Sequence, residues 1–114
     1  MHTTLAPTTQ TAPGRYLLVE SALESKLIAL DGPVIHIGRA FSADVRLDDH
    51  TVSRRHATIV QRDGETWILD EHATNGVFVN ELLIEAAPLS DQDVVTLGRV
   101  VFTYLDIRSP VDAP

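Results

Sequence analysis

The sequence predicts an all-β fold, an antiparallel β-sandwich of about ten to eleven short strands with its polar loops gathered at one end. Runs rich in β-branched and aromatic residues recur along the chain, and turn residues separate them about every 8 to 12 positions. No stretch keeps the helical period of about 3.6 residues for ten residues. These observations favour two sheets packed face to face around one core.

The individual strands follow from apolar runs bounded by turn residues. Asp63-Gly64, Asn80-Glu81 and Gly98-Arg99 each separate two such runs and predict three hairpins, of which the Asp-Gly turn is the strongest signal. The predicted strands comprise residues 15–21, 26–30, 34–38, 57–61, 66–69, 77–79, 82–84, 94–97 and 100–105.

Alternation within these strands predicts which side chains fill the space between the sheets. The expected core consists of Leu17, Val19, Ile28, Ile35, Ile37, Ile59, Trp67, Leu69, Val95, Leu97, Phe102 and Tyr104.

Length and composition limit the class of protein. With 114 residues the chain forms one domain, and it has no cysteine for a disulfide or a thiolate metal site. Nine basic against sixteen acidic residues give a net charge of −7, which argues against nucleic acid or an anionic membrane as a partner. No apolar run approaches the roughly 20 residues of a membrane span, and no signal pattern is present, so we expect a cytoplasmic protein.

The chain divides into three parts by composition. Residues 1–14 are rich in threonine, alanine and proline and are expected to form a disordered leader. Residues 15–108 form the predicted domain, and residues 109–114 a frayed C-terminal end.

Three loop segments, residues 38–49, 50–56 and 70–76, carry more polar side chains than turns require. Because a sandwich gathers its loops at its ends, these segments can meet in space. Together they would present guanidinium groups, hydroxyl groups and an amide. Such a set rich in hydrogen-bond donors, without a matching carboxylate cluster, is suited to a phosphate dianion.

The order of these residues resembles the forkhead-associated (FHA) domain, a phosphothreonine-peptide reader with a sandwich of the SMAD/FHA type. The resemblance extends from about residue 15 to residue 107. Its motifs are Gly38-Arg39, Ser53-x-x-His56, Thr74-Asn75-Gly76 and Val79-Asn80. The short chain and the Ser-Arg-Arg-His loop are more typical of bacterial members of the family.

The resemblance implies a phosphopeptide-binding role for five residues. Arg39 matches the arginine that contacts the phosphate, Ser53 a hydroxyl donor to a phosphate oxygen, and Arg54 a further phosphate contact. Thr74 would place the threonine methyl group. Asn75 would hold the peptide backbone beside the phosphothreonine.

The resemblance gives five further positions a supporting role. Gly38, His56 and Gly76 would shape and brace the loops, and Asn80 would brace the loop that carries Asn75. Thr51 lies where family members read the third residue after the phosphothreonine, although it is small and uncharged and predicts no acidic preference there.

Two positions depart from the family pattern without removing a phosphate contact. Ala73 replaces a common serine, so a bracing hydroxyl is missing, and Glu81 follows Asn80 where glycine is common.

The resemblance implies a non-enzymatic adaptor in Ser/Thr kinase signalling that binds a phosphothreonine-containing protein. We expect this adaptor to have neither a cofactor nor a metal. The kinase itself or one of its substrates is the expected partner. The partner's identity and the oligomeric state stay open.

Other interpretations are weaker. Ser53, His56 and Asp70 match no order of a catalytic triad, and Ser53 lacks a nucleophile elbow. The histidines have no short ligand spacing for a metal. Two alternatives stay open: phosphate-independent binding through a sandwich face or edge, and autoregulation by a phosphorylated leader threonine.

Overall fold

The computed structural model describes residues 11–20 and 23–108 and consists of eleven strands and their connecting loops. The strands are β1 (Gly14–Glu20), β2 (Ser25–Ala29), β3 (Val34–Gly38), β4 (Val45–Arg46), β5 (Ala57–Arg62), β6 (Glu65–Asp70), β7 (Val77–Val79), β8 (Leu82–Ile84), β9 (Ala86–Leu89), β10 (Val94–Leu97) and β11 (Val100–Ile107). Ser21, the predicted end of the first strand, lies outside the described residues, as do residues 1–10 of the leader and the predicted C-terminal end. The described residues contain no helix that is long and apolar enough to cross a membrane.

The strands form two sheets. The six-stranded sheet has the order β2-β1-β11-β10-β7-β8, and the five-stranded sheet has the order β4-β3-β5-β6-β9. All recorded pairings are antiparallel except that between β3 and the two-residue β4, which is parallel. The predicted sandwich and its three hairpins are confirmed, since Arg62 pairs with Glu65, Val79 with Leu82, and Leu97 with Val100.

The core lies between the sheets, and most of the predicted positions fill it. Val19 and Ile28 are half-buried and pack against it. The predicted residues that are fully enclosed are Leu17, Ile35, Ile37, Ile59, Val95, Leu97, Phe102 and Tyr104.

The prediction is wrong for β6, where Trp67 and Leu69 lie on the outer face. Thr66 and Ile68 occupy the inner face instead, and the Tyr104 hydroxyl donates to Thr66 Oγ1 at 2.8 Å. Trp67 is 38% exposed. Because side chains alternate along a strand, this buried hydrogen bond is compatible only with the phase that turns Trp67 outward.

Two strands, β4 and β9, are not among those predicted from the sequence, and the reasons differ. β4 is only two residues long and shows no alternation that a sequence could reveal. β9 contains Pro88, which cannot donate a ladder hydrogen bond. The structure places β9 at the edge of its sheet, which is where a proline is tolerated in a strand.

The Asn80-Glu81 turn carries backbone strain that a glycine would relieve. Both residues have positive φ, 50° for Asn80 and 72° for Glu81, and the Cβ of any residue other than glycine makes this conformation costly. We expect Glu81→Gly to raise the free energy of unfolding by about 0.5–1 kcal/mol, measured by urea denaturation. Glu81→Ala keeps the Cβ and should give no gain, and equal stability of the two variants would contradict this account.

Candidate functional site

Three loops that carry the predicted site residues meet at one end of the sandwich. The 39–44 loop follows β3, the 47–56 loop joins β4 to β5, and the 71–76 loop joins β6 to β7. Because β3 and β6 both pair antiparallel with β5, the ends of β3 and β6 lie beside the beginning of β5. The 47–56 loop bonds to both of the other loops.

Arg39 is anchored at one side of its guanidinium group. Its Nε donates to the Val52 carbonyl at 3.0 Å, and its backbone N–H donates to the Ser53 carbonyl at 3.0 Å. The side chain is half-buried, and within residues 11–20 and 23–108 neither terminal nitrogen has a carboxylate or carbonyl partner. A half-enclosed arginine with a fixed Nε and four undirected N–H groups is prepared for a bidentate contact with an anion.

Ser53 lies at the junction of two loops. Its Oγ accepts the Thr74 backbone N–H at 3.1 Å, and its backbone N–H donates to His56 Nδ1 at 3.0 Å. In the described part of the chain its hydroxyl proton has no acceptor, so the hydroxyl can donate to a ligand while its oxygen holds the 71–76 loop.

Asn75 is tied to the same central loop. Its Nδ2 donates to the Thr51 carbonyl at 2.8 Å, which fixes the amide plane. Among the described residues its Oδ1 and second N–H have no hydrogen-bond partner, and both Thr74 and Asn75 are exposed. One acceptor and one donor remain on the Asn75 amide, the pair that a peptide backbone requires.

Thr51 uses its hydroxyl within the protein. It donates to Asp49 Oδ1 at 2.6 Å and accepts the Arg99 backbone N–H at 2.8 Å. The Thr51 backbone N–H donates to the same carboxylate oxygen at 2.8 Å. Only the methyl group of Thr51 is left for a peptide side chain. Arg99, which the sequence analysis placed only in a hairpin turn, lies beside the site because of this contact.

In its charged form, the carboxylate of Asp49 accepts two hydrogen bonds from Thr51 and so holds the beginning of the 47–56 loop. Hydrogen bonds from the Thr51 hydroxyl and N–H hold the pKa of Asp49 below its usual 3.8, and the charge of Arg99 acts in the same direction. A lowered folded-state pKa stabilises the fold above the ordinary value, and this contribution is lost as the pH falls through the lowered one.

The direction of the Asp49 pKa shift gives a prediction for the stability of the protein in acid. We expect Asp49→Asn to destabilise the protein at pH 7, and we expect the difference in the free energy of unfolding between the variant and the unmutated protein to narrow as the pH falls below the usual 3.8 and through the lowered pKa. Urea denaturation of both proteins at each pH measures it. A gap that is equal at pH 7 and pH 3 would contradict the assignment.

Gly38 and His56 bring the 39–44 and 47–56 loops together. A Cβ on Gly38 would lie 2.1 Å from the Arg54 carbonyl oxygen, so only glycine fits there. His56 is fully buried, accepts the Ser53 N–H at Nδ1 and donates from Nε2 to the Gly76 carbonyl at 2.7 Å. With both ring nitrogens bound to backbone groups, His56 makes no contact with Ser53 Oγ and is not placed as a catalytic base.

Gly76 shapes the 71–76 loop, whereas Asn80 acts elsewhere. Gly76 has a φ of 73° and its backbone lies against the side chain of Leu83. The Asn80 side chain accepts from the Val94 N–H at 2.9 Å and donates to Asp93 at 3.0 Å. Asn80 therefore braces its own turn onto the beginning of β10, and the expectation that it braces the loop of Asn75 is wrong.

The missing hydroxyl at Ala73 is compensated by a neighbouring carboxylate. Asp70 Oδ1 accepts the Ala73 N–H at 3.0 Å, and the Ala73 carbonyl accepts the Gly76 N–H at 3.2 Å. Asp70 thus serves as a loop brace.

Most of the basic residues lie at this end, together with five acidic residues in or beside the same loops, which are Asp44, Asp48, Asp49, Asp70 and Glu71. Arg54 and Arg55 are both exposed, and both border a cavity of about 230 Å³ next to the five-stranded sheet. The role of Arg54 as a further phosphate contact therefore stays a prediction. Five of the nine basic residues lie in or beside the converging loops: Arg39, Arg46, Arg54, Arg55 and Arg99.

Comparisons with known proteins agree with this geometry. The chain is 38% identical over 76 residues to the glycogen accumulation regulator GarA of Mycolicibacterium smegmatis. This alignment covers 67% of this chain and 48% of GarA. An FHA structure solved to study phosphothreonine-dependent interactions superposes with a TM-score of 0.73 and 29% identity, covering 80% of this chain and 94% of the other. The FhaA FHA domain, solved with the intracellular domain of Rv3910, gives a TM-score of 0.75 and 30% identity over 80% of this chain and 99% of the other.

The chain spans about half the length, or less, of the curated relatives it matches. The sequence model of the FHA domain matches residues 35–98, which include every predicted site residue. The chain therefore belongs to the FHA domain family.

Proposed function

We propose that this protein is a non-enzymatic module that binds phosphothreonine-containing proteins and acts as an adaptor in Ser/Thr kinase signalling. The observation that carries the proposal is the anchored guanidinium group of Arg39, whose terminal nitrogens have no carboxylate or carbonyl partner among the described residues. Its loop is bonded to the neighbouring loop, which presents Ser53. The FHA structure solved to study phosphothreonine-dependent interactions and the FhaA FHA domain in complex with the intracellular domain of Rv3910 support the same function.

Each contact has a defined role in the proposed complex. The fork of Arg39 and the hydroxyl of Ser53 bind phosphate oxygens, and Arg54 adds a third cationic or polar contact. Asn75 binds the peptide backbone with its free amide groups. Thr74 packs against the threonine methyl, whose burial contributes about 0.8 kcal/mol and favours phosphothreonine over phosphoserine.

The expected affinity follows from these few contacts. Phosphothreonine carries a charge of roughly −1.5 to −2 at pH 7, and each charge-assisted hydrogen bond contributes about 1.5–3 kcal/mol. Three such bonds, less the cost of association and ordering, give a dissociation constant on the order of micromolar. Salt screens the repulsion from the overall charge of −7 beyond roughly 8 Å, so the local arginines dominate at contact.

The relatives point to a regulatory setting. The names of the relatives describe a regulator of glycogen accumulation and an inhibitor of oxoglutarate dehydrogenase. By analogy the proposed partner is a phosphorylated protein of the cytoplasm, either a kinase or a kinase substrate. The proposed role is binding alone, without a chemical reaction on the ligand.

Autoregulation by the N-terminal segment is a further part of the proposal. β1 begins at the pole opposite the loops, because Gly14 pairs with Ile107 and Arg15 donates to the Gly64 carbonyl in the β5–β6 turn. An extended chain advances at most about 3.6 Å per residue, so Thr3 and Thr4 have the reach to cross the sandwich, whereas Thr11 does not. The other leader threonines are Thr8 and Thr9; all of these except Thr11 lie outside the described residues.

Kinase treatment followed by mass spectrometry and peptide competition tests the autoregulation. Phosphorylation at Thr3 or Thr4 should reduce binding of an added phosphopeptide at any protein concentration. If the added phosphopeptide binds equally well after stoichiometric phosphorylation of the leader, the proposed autoregulation is contradicted.

An oriented phosphothreonine peptide array on the purified protein tests the binding function itself. Phosphorylated peptides should bind with dissociation constants on the order of micromolar, and phosphatase treatment of the array should abolish binding. Binding that survives phosphatase treatment would overturn the proposal and favour the alternative, a phosphate-independent interaction through a sandwich face.

A further inference from the structure

Strand β8 forms an open edge of the six-stranded sheet. It pairs with β7 on one side, and no strand of the described residues lies on its other side. Leu82 is 70% exposed and Leu83 is 66% exposed, although both belong to this strand. An apolar edge strand with unpaired backbone groups readily accepts a further strand. β8 therefore has the form of a surface on which an extended segment docks.

Leu83 directs its backbone N–H and C=O away from β7. Both residues of the 80–81 turn have positive φ, and a two-residue turn of this kind is closed by a hydrogen-bonded pair, here Val79 with Leu82. Bonded and unbonded pairs alternate along an antiparallel ladder, so the next pair, Phe78 with Leu83, is unbonded. The N–H and C=O of Leu83 are therefore available to a strand that lies along β8.

The side chain of Leu83 begins an apolar row on the outer face of the six-stranded sheet. The register places Leu83 opposite Phe78, and it places Thr96 between Phe78 and Val101. Phe78 is half-buried, and Val101 is 46% exposed. On a docked strand, the residue opposite Leu83 would face the same side and extend this row. An apolar residue is favoured at that position.

A carboxylate lies at each end of β8. Glu81 precedes the strand and Glu85 follows it, and both are exposed. Within residues 11–20 and 23–108 neither side chain forms an ion pair. The sequence has no lysine or arginine from residue 76 to residue 98, so no basic side chain of this stretch competes for them. Two cations on a docked strand would be attracted to the two ends of β8.

These charges select the occupant of the edge. If two copies of β8 paired antiparallel about Leu83, Glu81 of one copy would lie opposite Glu85 of the other. Like charges that face each other directly destabilise a strand pair, so a second copy is disfavoured. A segment with basic residues four positions apart instead places one cation beside Glu81 and the other beside Glu85.

We propose that β8 is a second docking surface, which binds an extended segment of the partner with three apolar residues between two basic ones. The segment adds a strand to the open edge of the sheet. Because it is short and its ion pairs are exposed, its own dissociation constant is expected to be on the order of millimolar. It therefore contributes only when the same ligand is also held at the phosphate site. The inference rests on the proposed function in this respect and adds to it a feature of the partner.

The edge lies close enough to the candidate site for one ligand to reach both. A Cβ on Gly76 would lie 2.8 Å from Leu83 Cδ1, so Leu83 packs on the backbone of the loop that carries Asn75. A flexible linker between two bound segments gives an effective concentration in the millimolar range. Even weak docking at β8 then tightens binding of the whole ligand.

The test uses chimeric peptides. The best phosphothreonine peptide is joined, at either end, to Lys-Val-Ile-Val-Lys through a Gly/Ser linker of five, ten or twenty residues. The control chimera carries Val-Lys-Ile-Lys-Val, which has the same composition and a different spacing. With the best linker we expect the first chimera to bind about three- to tenfold more tightly than its control, measured by fluorescence anisotropy.

Variants of the protein assign this gain to β8, and the control chimera measures the phosphate site of each variant separately. Glu85→Lys should reduce the gain, whereas Glu20→Lys, an equal change of charge in an exposed residue of β1, should retain it. Glu81→Lys combined with Glu85→Lys should abolish it and transfer it to a Glu-Val-Ile-Val-Glu chimera. Leu83→Pro removes the outward N–H, which an edge strand tolerates, and should also reduce the gain.

The outcomes separate this inference from the proposed function. Equal binding of the two chimeras at every linker length and at both ends overturns the inference alone. A gain that survives the double charge reversal also overturns it, because the segment then binds elsewhere. An equal loss in Glu20→Lys and Glu85→Lys does the same, since the effect is then one of net charge. If neither chimera binds, the proposed function and the inference fall together.

Discussion

Replacing Arg39 with alanine is expected to weaken phosphothreonine-peptide binding by at least about a hundredfold. The terminal nitrogens of Arg39 supply up to two charge-assisted hydrogen bonds, each contributing about 1.5–3 kcal/mol, from a guanidinium group that is already anchored to the Val52 carbonyl. Isothermal titration of the best array peptide into the variant measures the loss.

Two controls separate lost binding from lost structure. Arg39 contributes one side-chain hydrogen bond to the fold, to the Val52 carbonyl, so the free energy of unfolding should fall by only about 1 kcal/mol. Arg39→Lys keeps the charge but lacks the fork, so its affinity should lie between those of the unmutated protein and Arg39→Ala. Binding by Arg39→Ala that equals the unmutated protein's would show that the phosphate site is misassigned.

Gly38→Ala is expected to impair the same site without replacing any residue that is proposed to contact the ligand. Its Cβ would lie 2.1 Å from the Arg54 carbonyl oxygen, 2.8 Å from the Arg54 carbonyl carbon and 3.0 Å from the Ser53 carbonyl oxygen. These are backbone atoms, so the 47–56 loop must move away from Arg39 as a unit. We expect a loss of about 1–3 kcal/mol in stability and at least a tenfold loss in affinity, measured by urea denaturation and titration.

Gly64→Ala is the matched control for Gly38→Ala. Gly64 lies in the turn at the opposite pole, where a Cβ meets no atom within 4 Å, but its φ of 79° makes alanine costly by about 1 kcal/mol. This variant should lose stability and keep its affinity for the peptide. Full affinity in Gly38→Ala would contradict the role assigned to the close approach.

The strand pattern could be predicted because alternation and turn chemistry act locally. β6 shows where this fails, since Trp67, Ile68 and Leu69 are three apolar residues in succession and hydrophobicity alone cannot select the inner one. The phase depends on Thr66, whose buried hydroxyl pairs with Tyr104, a residue 38 positions away. Such a tertiary hydrogen bond leaves no local signal.

For the candidate site, too, some residues could be predicted from the sequence and others could not. The positions of Arg39, Ser53 and Asn75 were accessible from ordered motifs, because each follows a recognisable strand or turn. The internal use of the Thr51 hydroxyl and the presence of Arg99 depend on a hydrogen bond between residues 48 positions apart. Asn80 was assigned to the wrong loop because its partners, Asp93 and Val94, are brought to it only by the pairing of β7 with β10.

The most direct test of the central claim is a ¹H–¹⁵N NMR titration with one peptide in its threonine and phosphothreonine forms. We expect the NMR signals of the Arg39 Nε–H, of the backbone N–H groups of Ser53 and Thr74, and of the Asn75 side-chain amide to shift together when the phosphorylated peptide is added. These signals should follow one binding curve and stay unchanged with the unphosphorylated peptide. Equal shifts with both peptides, or shifts confined to the outer sheet faces around Trp67, would contradict it.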